Sequence, residues 1–471
     1  MITVRGISIA FAACLAGCGT AGAGVPGGVE LPAFERFKLA NGAEVALMEK
    51  HDTPLIAMTA VVRGGALADP PGKEGTASLF ADLIQKGAGR RDAAQFADAI
   101  ESAGGELAAG AGTEKLSVSA SFLVKDTDLM LQLVSDALLR PRLDAGEFEK
   151  VRTRSIQSIA AAKDSDPSTL IGEYGDAWLF RGHPYGRPVG GDETSLRAVG
   201  LDDVKRYFRE QLSGNRLILT VVGDFKTAEM RRKLEAGFGR WGSQGAAIVP
   251  AAQPAPRVAG RRVLLVDKPG ATQTYFWLGN VGASRTDPAR TAQSLVNTVF
   301  GGRYTSMLNT ELRLKGGLTY GISSSLDRLT QPGAFGIASF TETEKTNEAI
   351  DLTLEVLDRL HADSLDAPSL ASAKAYMLGQ FPPAIETNGQ LAGRLADMLF
   401  HGLGPEDVND YAARVASVDA AAVRAAIDGV FPRSSDLAIV LIGDAALIRD
   451  RVKKYGPVTE MKITDPRFAP Q

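Results

Sequence analysis

Residues 217–224 read LILTVVGD, and residues 437–444 read LAIVLIGD. Each stretch is a run of mostly apolar, β-branched residues ending in a Gly-Asp turn, which is typical of a strand buried on both faces. The two stretches are offset by 220 residues. Two copies of one unit of roughly 200 residues are the simplest explanation. A chance similarity between two hydrophobic strands is the alternative.

Strand and helix patterns alternate along the chain around these runs. Residues 37–49 read as a hairpin that turns at Asn41 and Gly42, a pair that favours tight turns. Residues 116–122 alternate between apolar residues and serine, as in a strand with one buried face. Apolar residues recur at helical spacing in four stretches: 76–85, 93–103, 128–139 and 145–162. These patterns predict an α+β fold.

A change of composition divides the chain. Residues 237–262 are rich in Gly, Ala and Pro and lack a usable periodicity, which indicates a linker. We therefore expect an N-terminal unit over residues 31–236 and a C-terminal unit over residues 263–450. Residues 451–471 follow as a tail.

The first residues have the pattern of an export signal. Arg5 precedes an apolar run over residues 9–16, which is too short to span a membrane, and small residues follow. Residues 1–24 are therefore assigned to a signal peptide and an N-terminal tether. The sequence Leu-Ala-Gly before Cys18 resembles the lipobox of bacterial lipoproteins, in which the cysteine carries the lipid. The alternative is a plain export signal with an incidental cysteine. Gly19 favours the outer membrane over the inner membrane of a Gram-negative bacterium, so we expect a periplasmic location.

The composition excludes several classes of function. With 471 residues, 45% hydrophobic and 23% charged, the chain is too long for a single core. A net charge of −3 without a basic stripe argues against a nucleic-acid partner. Both cysteines lie in the leader, so the body has neither a disulfide nor a thiolate ligand. The four histidines are too far apart in sequence to form a local metal-binding pair: His51, His183, His361 and His401.

Several short motifs together resemble one family, the insulinase (pitrilysin) family of zinc metallopeptidases. The matching residues are Gly75-Thr76-Ala77, Gly87, AGGEL at 103–107, HPYGRP at 183–188, Gly301-Gly302, LNTELR at 308–313 and GLTYG at 317–321. The resemblance implies two homologous units, each a mixed sheet covered by helices, that form a half-clamshell. In this family two such halves enclose a chamber in which a peptide is cut. Members occur as one long chain or as two shorter chains, and the length here fits one half.

The zinc motif of that family is degenerate in this sequence. The family motif H-x-x-E-H places two zinc ligands and a general base on one helix, and a later Glu completes the site. Aligned on Gly75, the motif positions hold Ser78, Ala81 and Asp82, and the later position holds Ser158. Asp82 with two hydroxyls cannot hold zinc, and Ala81 cannot act as a base. We therefore expect no metal in this chain and no activity from it alone.

Ser78 and Asp82 can be interpreted in two ways. In the simpler interpretation they are solvated or capping polar residues. A Ser-His-Asp hydrolase would require a histidine beside Ser78, and no nucleophile-elbow pattern surrounds that serine.

Arg313 and Tyr320 are the candidate substrate-binding residues. In the family, an Arg and a Tyr at this spacing face the zinc across the chamber and donate hydrogen bonds to the substrate carbonyl, as in an oxyanion hole. The alternative is a cation at a helix end and an aromatic residue in a strand. Residues 334–340 are a candidate edge strand for binding an extended peptide.

The resemblance implies a non-catalytic subunit of a heterodimeric zinc metallopeptidase, whose partner is a homologous chain that carries the zinc. The first alternative is a structural scaffold or peptide-binding lipoprotein with no role in proteolysis. The second is an enzyme that recruits its own metal elsewhere, against which the lack of clustered His or Cys argues.

Overall fold

The computed structural model describes residues 28–243 and 253–470, so the leader and Cys18 lie outside the described residues. Its strands are β1 Glu35–Lys38, β2 Glu44–Glu49, β3 Leu55–Arg63, β4 Glu106–Ala111, β5 Lys115–Leu123, β6 Leu217–Gly223, β7 Arg262–Asp267, β8 Gln273–Val281, β9 Ile322–Arg328, β10 Pro332–Glu342, β11 Ala438–Gly443 and β12 Val458–Lys462.

The helices in the same ranges are α1 Thr76–Leu83, α2 Ala93–Ser102, α3 Thr127–Leu139, α4 Ala145–Ser165, α5 Ile171–Leu179, α6 Glu193–Ala198, α7 Leu201–Gln211, α8 Thr227–Phe238, α9 Arg290–Phe300, α10 Met307–Asn309, α11 Thr346–Asp363, α12 Ala367–Gln380, α13 Asn388–His401, α14 Glu406–Asn409, α15 Tyr411–Ser417, α16 Ala420–Val430 and α17 Ala445–Val452. None of these helices combines the length and the apolar composition that crossing a bilayer requires.

The strands form two six-stranded mixed sheets of the same design. The first has the order β1-β2-β6-β3-β5-β4 and the second the order β12-β7-β11-β8-β10-β9. The repeated runs of the sequence, β6 and β11, occupy the same position, each between one parallel and one antiparallel neighbour. Every residue of both strands is buried. The predicted α+β fold with two repeated units is therefore confirmed.

The two units exchange helices across their sheets. Helix α5, which belongs to the first unit in sequence, packs on the second sheet, and its Tyr174 and Trp178 lie among Leu264, Val440 and Ile442. In return, α13 from the second unit packs on β3 and β6 of the first sheet through three buried leucines: Leu391, Leu395 and Leu399. Each sheet therefore has one face covered by its own unit and the other by the opposite unit.

Close packing fixes α5 on its foreign sheet. A Cβ atom at Gly175 would lie 2.7 Å from the ring of Trp277, so only glycine allows this approach. Arg262 at the start of β7 donates to the carbonyl oxygens of Trp178 and Leu179, at 2.8 Å and 2.9 Å. This guanidinium binds the last turn of the helix, where carbonyl groups lack partners and a cation is favoured.

A buried carboxylate also joins the two units. Glu114, in the turn between β4 and β5, accepts a hydrogen bond of 2.7 Å from the Tyr185 hydroxyl. Its other oxygen accepts from the backbone amide and the hydroxyl of Thr330, both at 2.9 Å, and Thr330 lies between β9 and β10 of the second sheet. Because both oxygens accept hydrogen bonds, this buried side chain has its partners and connects the first unit to the second sheet.

One expectation about the sheets is wrong. Residues 334–340 lie in β10, which pairs with β8 on one side and β9 on the other, so they are not an edge strand. The edges next to the candidate functional residues are β4 in the first sheet and β9 in the second. Alternation of apolar residues predicts a strand but does not indicate how many neighbours it has.

Candidate functional site

Helix α1 carries Ser78, Ala81 and Asp82, which the resemblance aligns with the zinc motif. Its buried side chains Leu79, Phe80 and Leu83 anchor one face in the core of the first unit. At its N-terminus, the carboxylate of the buried Asp69 accepts hydrogen bonds from the amides of Gly75 and Ala77, at 2.9 Å and 2.8 Å. These bonds satisfy amides that a helix leaves without internal partners.

Burial raises the pKa of the Asp69 carboxyl to about 7, although the amides of Ala77 and Gly75 lower it. The folded state therefore holds this proton more tightly than the unfolded chain, in which an aspartate titrates near pH 4. As the pH rises from about 4 to about 7, this group reduces the free energy of unfolding by about 4 kcal/mol.

We expect Asp69→Asn to remove this pH dependence, because asparagine keeps the shape and one acceptor oxygen but does not titrate. Urea unfolding of both proteins across this pH range measures the difference. The free energy of unfolding should fall more steeply with pH in the unmodified chain. Parallel curves would contradict the assignment, whatever the absolute loss of stability in the variant.

The positions of the zinc motif offer no metal-binding set. The Ser78 hydroxyl donates to the carbonyl oxygen of Val189 at 2.8 Å, and Ala81 is buried. The Asp82 side chain reaches the surface, but the surrounding protein removes enough water to raise its pKa, while Arg154 and Lys86 lower it. Across residues 28–243 and 253–470, no group of three or more His, Cys, Asp or Glu could hold a metal ion.

Helix α4 brings the position of the later ligand to the same region. It packs against α1, and Ser158 lies on its exposed side. Arg154 of this helix is close enough to Asp82 to lower the pKa of its carboxyl. A protein cation thus accompanies the single acidic side chain that remains in the motif.

The histidines have partners away from Ser78. His51 contacts Asp224, His183 contacts the carbonyl oxygen of Gln253, and His361 contacts that of Pro432. His401 lies 3.5 Å from Asp397. These contacts do not assemble a Ser-His-Asp triad.

The Arg313 guanidinium lies close to two exposed tyrosine rings. The guanidinium carbon is 4.5 Å from the ring centre of Tyr320 and 5.1 Å from that of Tyr304. Tyr320 is 76% exposed and Tyr304 is 59% exposed. A guanidinium over aromatic faces is held by cation–π attraction and still presents its N–H groups at the edges. The cluster therefore offers guanidinium and phenol donors at the protein surface.

The backbone before Tyr320 has an unusual conformation. Residues Thr310–Lys315 form a π-helical turn that continues directly from α10. The amide of Gly316 donates to the carbonyl of Glu311, and that of Leu318 to the carbonyl of Leu312, both at 2.8 Å. Gly317 has φ +59°, a left-handed conformation that glycine adopts readily. Such turns recur at functional sites, and this one returns the chain so that Tyr320 covers Arg313.

Sequence analysis identified Arg313 and Tyr320 but missed Tyr304. Tyr304 lies nine residues before Arg313, in the turn between α9 and α10, where no helical or strand periodicity relates it to the later residues. Within the described ranges, the positions aligned with the zinc motif make no hydrogen bond, ion pair or ring contact with this cluster. These positions are Ser78, Ala81, Asp82 and Ser158.

The fold and these two regions define an α+β chain of two repeated units, with helix α1 in the first and the Arg313 cluster in the second. A family model described as insulinase (peptidase family M16) matches residues 44–193, and one described as the peptidase M16 inactive domain matches residues 198–377. The chain belongs to the insulinase family, as a non-catalytic member.

Two relatives agree with this membership, and a solved structure shares the fold. An uncharacterized zinc protease of Streptomyces coelicolor is 27% identical over 80% of this chain and 82% of its own length. A protein of Helicobacter pylori named as a non-peptidase homolog is 24% identical over 77% of this chain and 84% of its own. A peptidase M16 inactive domain from Pseudomonas fluorescens has the same fold, with a TM-score of 0.81 at 21% identity over 87% of this chain and 98% of its own.

Proposed function

We propose that this chain is the non-catalytic subunit of a heterodimeric zinc metallopeptidase. A homologous partner carries the zinc and cuts the peptide, while this chain supplies substrate-binding groups. The observation that supports this most directly is the partly exposed Arg313, whose guanidinium lies against the exposed rings of Tyr304 and Tyr320. An arginine and two tyrosines at the surface are the residue types that bind partners and substrates.

Arg313 and Tyr320 serve in this proposal as an oxyanion clamp. As the carbonyl of the scissile bond becomes tetrahedral, its oxygen gains negative charge. The Arg313 guanidinium and the Tyr320 hydroxyl donate hydrogen bonds to that oxygen. The two rings restrict the guanidinium, so less conformational entropy is lost when the substrate binds.

We also propose that the chain is exported and anchored by a lipid at Cys18, which places the complex in the periplasm at the outer membrane. The lipobox-like sequence before Cys18 supports this location. A scaffold or peptide-binding lipoprotein without a role in proteolysis is the second candidate, favoured by the non-peptidase homolog of Helicobacter pylori.

Reconstitution with a zinc-bearing homologue from the same cell tests the function. The purified chain should contain no stoichiometric zinc and should not cut an unfolded peptide. Adding the zinc-bearing homologue should give a heterodimer that is far more active than the homologue alone. A heterodimer whose activity equals that of the homologue alone would favour the scaffold, and stoichiometric zinc in this chain would contradict both candidates.

A further inference from the structure

The second unit contains a pocket of about 260 Å³ that is lined by five arginines. It lies beside the second sheet, among α9, α12, α13, α14 and α15, and is separate from the Arg313 cluster. The arginines are Arg285, Arg290, Arg328, Arg394 and Arg414, and Asp407 is the only acidic residue in the lining.

The acidic groups do not balance these arginines. Asp407 is 5% exposed and accepts from Arg285 at 2.7 Å and from Arg290 at 2.9 Å. Asp397 accepts from the Nε of Arg285 at 3.0 Å from outside the pocket lining. Five arginines against these two carboxylates leave three more positive than negative charges, and Asp287 and Asp410, outside the pocket lining, offset part of that excess at Arg328 and Arg414. Burial, with the nearby Arg285 and Arg290, lowers the pKa of Arg328 to about 10, although Asp287 raises it.

Two of the arginines have donor capacity left. Arg394 makes no side-chain hydrogen bond within the described ranges, and its ion pair with Asp407 is long, at 3.8 Å. Arg414 donates to the carbonyl oxygens of Glu406 and Asp407, but its buried Nε has no partner. Unpaired donors in a partly enclosed cavity are costly unless water or an anion binds them.

Besides these charged residues, the pocket lining contains Thr291, Ser294 and three large side chains. The rings of Phe381 and Tyr411 stack at 3.9 Å, and Met377 lies beside them. The Arg394 guanidinium carbon is 6.0 Å from the centre of the Phe381 ring. The pocket lining therefore combines guanidinium groups with a stacked aromatic pair.

From this geometry we propose that the pocket binds a phosphate group, either free or as a monoester. The lining holds five arginines and one carboxylate, and this positive surface favours a tetrahedral anion that can accept from several guanidinium groups. Guanidinium groups bind phosphate oxygens through forked hydrogen bonds, and several of them can surround a tetrahedral anion. The phosphate contacts Arg394, which makes no side-chain hydrogen bond within the described ranges, while Arg285 and Arg290 remain paired with Asp407.

Calorimetric titration of the purified chain tests the site. Inorganic phosphate and glycerol 3-phosphate are titrated in chloride buffer of matched ionic strength, and vesicles of phosphatidylcholine with and without phosphatidic acid form a third arm. The variants are Arg394→Ala and Arg394→Lys. Arg449→Ala is the matched control, because Arg449 forms one exposed ion pair, with Glu460, away from the pocket.

We expect saturable phosphate binding that Arg394→Ala weakens at least tenfold, because a hydrogen bond to a charged group is lost. Arg394→Lys should have an intermediate effect, because lysine keeps the positive charge but lacks the paired N–H donors of a guanidinium. This variant replaces Arg394→Ala if the alanine variant does not fold. Arg449→Ala should bind normally. Binding to phosphatidic acid vesicles alone, lost in Arg394→Ala, would identify a lipid phosphate as the source. Absence of saturable binding in all three arms, or equal affinity of the Arg394 and Arg449 variants, would overturn the proposal.

Discussion

Arg313→Ala should lower the kcat of the reconstituted heterodimer by about a hundredfold, the effect expected when one pre-placed donor to a developing oxyanion is removed. The loss should appear in kcat and in kcat/KM, because the hydrogen bond strengthens as charge develops on the carbonyl oxygen. Peptide-cleavage kinetics of the complex measure it. The fold should be unaffected, since the residues that cover Arg313 are themselves exposed.

Neighbouring substitutions separate the donor role from a general effect on this surface. Tyr320→Phe removes the hydroxyl donor but keeps the ring over Arg313, so kcat should fall while heterodimer affinity stays the same. Lys315→Ala is the matched control, because Lys315 is an exposed cation of the same π-helical turn that pairs with Glu311. It should retain activity. Full activity of the Arg313→Ala, Tyr320→Phe double variant would rule out the clamp.

Trp178→Ala should reduce the free energy of unfolding by about 3–5 kcal/mol, the usual cost of emptying a buried aromatic site. Trp178 is 1% exposed and packs on the second sheet although it belongs to the first unit in sequence. Its loss also leaves the Arg262 side chain without the ring that it contacts. Chemical denaturation followed by circular dichroism measures the change.

Trp241→Ala is the matched control for this experiment. Trp241 is partly buried against the core of the first unit and does not contact the second sheet. Replacing Trp241 should reduce the free energy of unfolding by less than replacing Trp178 does. The two units should still unfold together. An equal reduction in the free energy of unfolding for the two variants would show that helix α5 contributes little to the coupling between the units.

Much of the fold could be predicted from local pattern. The apolar runs of β6 and β11 identified the repeat, and the Asn41-Gly42 turn identified the β1–β2 hairpin, because these signals depend on residues that are close in sequence. Helix α1 was predicted to begin at Thr76 and does so. The family resemblance then gave Arg313 and Tyr320, which neither periodicity nor composition would have related to each other.

Other features could not be predicted from one sequence. The apolar stripe of α5 indicates burial but does not identify the sheet that buries it, so the exchange with α13 was missed. The position of β10 inside its sheet depends on pairing with β8 and β9. The sequence does not predict the arginine pocket, because its residues come from six separate elements and adjoining turns between Arg285 and Arg414.

The exchange of α5 and α13 has a consequence for the order in which the chain is synthesised. A nascent polypeptide that has reached Phe238 contains all six strands of the first sheet, but not residues 388–401, which cover its outer face. That apolar face stays uncovered until most of the second unit has left the ribosome, a period in which chaperones or export factors would bind it. A stop codon between the units would thus yield an aggregation-prone fragment rather than a smaller working domain.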